Sequence, residues 1–456
     1  MSRVAVVATG SSLRDALVVI ADSGTVELAG NVPAAEGPAL ESLRRLERGS
    51  ATDGRTEPRL AAAALEPAEL ERRGRRDLLG GEVELERRAA CAVRHGPYAA
   101  LVGWAPTEEL ERLETRLAAV GAGLVELPRP AWSEPPTLLQ DGRLARPFRP
   151  LVDTYGALRY RDVDPTPFAA VSFVLMFGMM FGDVGHGVML ALLGLGLARA
   201  HSARLAPFTG LWPFLVAGGV AASFFGLLYG EAFGPTGLVP TLWIDPTEEP
   251  LEFLTAGIAV GAVLLSVSYA IGTVNRWREG GGLSALVAPS GVAGFLLFLG
   301  LGAAAAGVYS GTAVLAAVGG ACALAGALLL GAGFHAGAGR GAAAVTQATV
   351  EVVDAVVRVV ANVISFTRLA AFGLMHAALG AVVWDATTAL WGTAVGSLLA
   401  VVTFVIGNAL TFTLEALVAG VQALRLEYYE LFSRIFAGEG HRFSPWHIPL
   451  DSRKES

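Results

Sequence analysis

The chain has 456 residues, of which 53% are hydrophobic and only 16% charged, and its mean hydropathy is +0.52. Soluble domains carry about 25% charged residues, so a wholly soluble fold is excluded, and a net charge of −7 offers nucleic acid no basic field. Two distant cysteines, Cys91 and Cys322, make neither a disulfide framework nor a metal cluster, and no cofactor-binding motif stands out. The charges are unevenly placed: residues 1–150 carry 42 of them in a third of the length.

The N-terminal third reads as a small α/β domain. Arg3 to Thr9 is β-rich, Ser11 to Ala21 has helical apolar spacing, and Gly24 to Ala29 is a second short strand. The stretch from Val4 to Thr9 is too short for a signal-peptide core, so the N-terminus is expected in the cytoplasm. Residues 38–90, rich in Arg, Glu, Leu and Ala and broken near Gly49 to Pro58, predict two solvated helices. Tyr98 to Trp104 is a strand, Thr107 with Glu108 to Glu111 caps a helix, and Gly123 to Leu127 is another strand. A proline-rich linker, Pro128 to Pro150, follows.

Apolar runs then recur at about 167–198, 210–233, 251–275, 283–308, 311–335, 344–384 and 389–432. Roughly 20 apolar residues span a bilayer. The first run is flanked on both sides by arginines (Arg159 and Arg161, then Arg199 and Arg204), so by the positive-inside rule it turns back at the polar stretch Gly182 to Gly187. The loop Glu231 to Glu252 has five acids and no base and is expected outside; Arg276, Arg278 and Arg340 are expected inside, Asp385 outside, and Arg434, Arg442, Arg453 and Lys454 inside. This predicts eight crossings with both termini cytoplasmic.

Ionisable residues inside hydrocarbon are costly, at least about 2.5 kcal/mol at a helix centre, and here they crowd into the last two runs. Glu351, Asp354 and Arg358 share one helix face, with Asp354 and Arg358 spaced to pair locally. Arg368 lies about 15 Å deeper with no acid within a turn, and His376 about 12 Å further on. The last helix runs the other way and places Glu415 about 15 Å from Arg425, with Gln422 and Asn408 adding polar groups. Aligned by their arginines, the helices put His376 and Glu415 on the outer side and Asp354 and Glu351 on the inner side. Titratable groups leading in from each face, separated by a permanent positive charge, describe two offset half-channels; arginine suits the barrier because it does not deprotonate.

The segments Ser365 to His376 and Glu415 to Glu430 resemble the two long helices of the membrane stator subunit of V-type and archaeal-type rotary ATPases (subunit a, or I in prokaryotes; the 116 kDa subunit family). Asp162 to Phe168 with Phe177 to Gly187, Phe224 to Gly234, and Phe436 to Pro445 resemble further signatures of that family in the same order. The likeness covers residues 97–446 well and 3–31 loosely. It implies that Arg368 faces an essential carboxylate on a rotating proteolipid ring, with Arg425 its companion. It also implies that Glu415 and His376 line the outer half-channel, that Asp354 is an acidic position on the cytoplasmic side, and that Asp183 and His186 belong to a turn. The partners it implies are the proteolipid c/K ring, peripheral stalk subunits of E/G type, central-stalk or collar subunits, and the lipid bilayer. Family members have a much longer cytoplasmic region than the roughly 150 residues seen here, so a reduced stator-binding domain is expected.

The expected architecture is a small α/β cytoplasmic domain at 1–150, an all-α polytopic membrane domain at 151–446 whose last two helices are long and tilted, and a cytoplasmic tail at 447–456. The expected function is proton translocation at the ring interface, in a prokaryotic cell membrane. The subunit would be non-catalytic, because the chain has no phosphate-binding G-x-x-x-x-G-K-[ST] loop. The alternative is a secondary transporter with its own midplane ionisable site; against it, the two halves show no internal repeat.

Overall fold

A computed structural model describes residues 1–456 except 31–32, 49–55, 131–132, 140–145, 203, 340, 437, 439 and 452–456. Arg340, Arg453, Lys454 and most of the break after Gly49, all used in the sequence argument, lie outside the described residues. The chain divides into two compact units. One is Met1–Leu139 with Ala157–Tyr160 and Gly440–Ser456; the other is Gln140–Gly156 with Arg161–Glu439.

The first unit holds β1 (Ser2–Thr9), α1 (Leu13–Ser23), β2 (Glu27–Leu28), α2 (Pro38–Arg48), α3 (Pro67–Arg72), α4 (Arg76–Ala90), β3 (Val93–His95), β4 (Tyr98–Ala105), α5 (Leu110–Ala119) and β5 (Ala122–Leu127). The sheet runs β2-β4-β1-β5 with β3 also on β4, and every pairing is antiparallel. Two strand–helix–strand halves interleaved in this way make the split β-α-β arrangement of ferredoxin-like domains. Alternation in β1 turns Val4, Val6 and Ala8 inward onto Leu13, Leu17 and Ile20 of α1 and Leu113 and Leu117 of α5. Gly24 ends α1 in the left-handed conformation, φ 58°, which a side chain would strain. The excursion between β2 and β4 has three helices where the composition predicted two.

The C-terminal segment is built into this unit. Trp446 N–H donates to Val26 O (2.9 Å), Leu60 N–H to Pro449 O (3.0 Å) and Asp451 N–H to Leu60 O (2.8 Å). Trp446 and Ile448 are buried in the sheet's core. The sequence reading ended the membrane domain at 446 and left 447–456 as a tail; among the described residues, 440–451 belong to the same compact unit as β1–β5.

The second unit holds α6 (Arg149–Tyr155), α7 (Thr166–Met180), α8 (Val184–Ala198), α9 (Trp212–Tyr229), α10 (Pro250–Val287), α11 (Val292–Tyr309), α12 (Ala313–Ala338), α13 (Ala342–Ser365), α14 (Thr367–Ala389), α15 (Ala394–Leu426) and α16 (Phe432–Ile435), with a π-helical turn Glu427–Leu431 before the last. Among the described residues, six helical stretches are long and apolar enough to cross a membrane: Ala206–Tyr229, Pro250–Val287, Val292–Tyr309, Ala313–Ala338, Ala342–Ala389 and Ala394–Ile435. The chain is an integral membrane protein. Helices α7 and α8 are apolar but have 15 residues each, about 22 Å at 1.5 Å per residue.

Facing residues give the helix directions. Phe173 meets Phe214 and Phe177 meets Gly218, so α7 and α9 run the same way. Gly187 meets Ser223 and Gly194 meets Val216, so α8 runs against α9 and the chain reverses at Gly182–Asp183. A Cβ on Gly219 would lie 2.5 Å from Ala191 N, and one on Gly226 2.4 Å from Val184 N; small residues here let the helix backbones touch. By the same reasoning α11 and α12, α10 and α14, and α14 and α15 are antiparallel. Tyr155 at the end of α6 packs edge-on against Phe432 and tilted against Phe436 (ring centroids 5.3 and 4.8 Å), so this unit begins and ends on one side.

Candidate functional site

The long 344–384 run, read from sequence as one helix, breaks at Phe366 between α13 and α14. Phe366 is fully buried, with its ring where a side chain on Gly261 of α10 would be: a Cβ there would lie 2.2 Å from Phe366 Cγ. This wedge sets the start of α14, and Arg368 is its second residue.

Arg368 is half-buried, its Nη1 is enclosed without a hydrogen-bond partner, and no ion pair holds it among the described residues. The charges that act on it are Arg425 and Glu430. The antiparallel register that faces His376 with Glu415 and Val383 with Gly407 brings Arg368 and Arg425 to one level. Both arginines head exposed apolar stripes: Ala371, Met375, Ala378 and Val382 on α14, and Leu410, Leu414, Leu417 and Val421 on α15.

Behind the stripes, His376 Nδ1 and Glu415 Oε2 form a buried hydrogen-bonded pair, and Glu415 Oε1 has no partner. His186 lies against His376 with ring centroids 5.5 Å apart and is boxed by Phe181, Phe233 and Phe412. Asp183 caps α8: its Oδ1 accepts from His186 N (2.8 Å) and its Oδ2 from Gly234 N (2.9 Å). These bonds fasten the reversal. Donor atoms of Asp183, His186 and His376 lie within 4.8 Å of one another, a spacing that could hold a metal ion. Both Asp183 oxygens are already taken up by backbone N–H groups, which weakens them as ligands.

Asp354 is set apart from this group. It is exposed on α13 and pairs with Arg358 at 2.6 Å. Glu351 accepts from Gln347 Nε2 (3.0 Å), and Asn408 donates to Phe404 O (2.9 Å).

Sequence reasoning gave no role to two acids in the π turn. Glu427 is fully buried, with Oε2 2.7 Å from Ser172 Oγ on α7, and Glu430 is buried near Arg368. The signal was present: two acids at i, i+3 directly after Arg425 in an otherwise apolar run. Glu231 is likewise buried.

A polytopic helical unit whose arginines stand level on two antiparallel helices with no ion pair among the described residues, in a chain that also folds a small ferredoxin-like unit, defines a class of membrane subunit. The sequence model of the V-type ATPase 116kDa subunit family matches residues 93–251 and 340–448, and the chain belongs to that family. It is 26% identical over 394 residues to the A-type ATP synthase subunit I of Pyrococcus horikoshii, covering 81% of this chain and 57% of the relative. It is 27% identical over 388 residues to that of Halobacterium salinarum, covering 68% and 51%, and 35% identical over 135 residues to that of Archaeoglobus fulgidus, covering 30% and 19%. The chain spans about half the length of the longer-matching relatives.

Proposed function

We propose that this chain is the membrane stator subunit of a V/A-type rotary ATPase and carries protons past a rotating proteolipid ring through two offset half-channels. The observation that carries the reading is the pair of level arginines without ion-pair partners among the described residues, each opening onto an exposed apolar stripe. Such a surface fits an apolar ring whose carboxylate supplies the missing partner. The peripheral-stalk (E/G-type) and central-stalk or collar subunits are the remaining partners, and ATP hydrolysis belongs to other subunits.

A ring carboxylate facing lipid is neutral, because its charged form is costly there. Opposite Arg368 the ionised form is favoured: two charges about 4 Å apart interact by roughly 4 kcal/mol at an effective dielectric near 20, up to about three pKa units. The proton leaves by one half-channel and, after rotation, another loads from the other. His376 and Glu415 serve the outer path, Asp354 the inner one, and Arg425 supports Arg368. Both termini then face the cytoplasm of a prokaryotic cell.

The test is ATP-driven proton uptake by reconstituted vesicles, with assembly checked by co-purification. Arg368→Ala is expected to abolish uptake in an assembled complex. Arg368→Lys is expected to be badly impaired, because a buried ammonium deprotonates more readily. Near-normal coupled pumping by assembled Arg368→Ala would overturn the assignment and make Arg425 the arginine to examine.

A further inference from the structure

The second unit contains a cavity of about 550 Å³ at the end where α10 gives way to α11 and the chain leaves α15 for α16. Three arginines reach it. Arg276 is held by Glu279 (2.7 Å) and Ser290 Oγ (3.2 Å), and Arg358 by Asp354 (2.6 Å). Arg434 has no ion pair among the described residues. Its guanidinium lies 5.3 Å from the centre of the Tyr269 ring, and its Nη2 donates to Asn362, with the amide turned to satisfy both neighbours, at 2.7 Å. Its Nε is enclosed and has no acceptor.

The cavity therefore carries a surplus positive charge, on a guanidinium held over the Tyr269 ring and by a side-chain hydrogen bond, with an N–H to spare. An enclosed donor without an acceptor is costly, and a planar guanidinium fork matches phosphate oxygens. Leu297 and Leu330 give the same cavity apolar lining, and the space is far larger than one phosphate needs. Cationic and apolar lining in one cavity between membrane helices fit an amphiphile, and basic pockets of this kind take acidic headgroups.

We propose that this cavity binds a phosphate-bearing anion, seated on Arg434, whose source is an anionic phospholipid. The inference does not depend on the transport role: binding is read without pumping, so failure of either leaves the other standing.

The experiment uses the full chain, purified and delipidated in detergent, titrated with phosphatidylglycerol or phosphatidylcholine and examined by native mass spectrometry. Phosphatidylglycerol is expected to be retained over phosphatidylcholine. Arg434→Gln should lower that retention about tenfold, as loss of one charge-assisted contact does. Leu330→Trp, which adds bulk to the apolar lining and leaves the arginines in place, should lower it as well, so the test survives if the first variant misfolds. Millimolar inorganic phosphate should not displace the lipid. Displacement by phosphate that itself binds in an Arg434-dependent way would keep the anion site and overturn the lipid source. Equal retention of both lipids, unchanged in both variants, would overturn the proposal.

Discussion

His376 and Glu415, on helices running in opposite directions, are each other's hydrogen-bond partner in a buried seam. Removing one member leaves the other buried and unpaired, a penalty of about 1–3 kcal/mol for a hydrogen-bonded group and more if it is charged. His376→Ala and Glu415→Ala should each lower the thermal midpoint of the solubilised protein, and the double variant should lower it by less than the two single losses combined. Proton uptake in vesicles should slow in each variant without vanishing, because a hydrated path tolerates losing one polar group. Strictly additive losses of stability would show that the two side chains are not coupled.

The arginine level was legible in the sequence because helices have a fixed rise, so Arg368 and His376, or Arg425 and Glu415, convert directly into depth. Four of the strands were legible in the sequence while the short β3 at Val93–His95 was not, and the reversal near Asp183 was legible through its polar, glycine-rich interruption. Other features depend on tertiary placement. The break at Phe366 depends on a glycine some hundred residues earlier, Gly261, which makes room for its ring. The burial of Glu427 depends on Ser172 of α7. Trp446 and Ile448 carry no periodic pattern that would announce them as core of a sheet domain whose strands end at Leu127. Asp354, read as a half-channel acid and as half of a local salt bridge, forms that salt bridge; a pairing between neighbours on one helix is the kind of contact spacing alone can predict.

The direction of each helix sets which loops share a side. With Cys91 and Cys322 changed to Ser, Cys introduced at Gly282 or Gly337, where a side chain meets open space, should react with an impermeant thiol reagent only from the cytoplasmic face. Cys at the exposed Glu248 should react only from the other face. Labelling of Glu248→Cys from the cytoplasm would remove the reversal between α7 and α8 from the topology.

Arg75 joins the α3–α4 corner to the C-terminal segment. Its Nε and Nη2 grip Asp77 (2.9 and 2.8 Å), and Nη2 also meets Asp451. The hydrogen bonds from Arg75 hold the Asp77 carboxyl below its ordinary range. A depressed carboxylate pKa stabilises the fold above the unfolded value near 3.9, and the contribution is lost as pH falls through and below it. The groups are partly exposed, so it is worth no more than ~1 kcal/mol. Hydrogen exchange at Leu60 and Asp451, whose amides join the two segments, should speed up on going from pH 5 towards pH 3 once corrected for intrinsic rates. Asp77→Asn should exchange faster at pH 6 and lose most of the acid dependence. An unchanged pH profile in Asp77→Asn would assign that dependence to other carboxylates.

Arg368 owes its place to Phe366, and Phe366 owes its place to Gly261. A methyl group at Gly261 would fall 2.2–2.5 Å from Phe366 Cγ, Cβ and Cδ1, closer than any carbon contact allows, so the ring or the start of α14 must move. Overpacking of this kind costs about 1–3 kcal/mol, which an assembled complex can survive. A charge displaced by about 1 Å from a site that works by position can lose up to about a hundredfold in rate. Gly261→Ala should therefore assemble and yet pump poorly. Phe366→Gly, which removes all three of these atoms, should recover part of the pumping in the Gly261→Ala background while impairing it alone, a sign of compensation that a general loss of stability does not produce. Gly196→Ala, at a helical glycine with nothing within 4 Å, is the matched control and should pump normally. Normal pumping by assembled Gly261→Ala would show that the wedge does not set the position of Arg368.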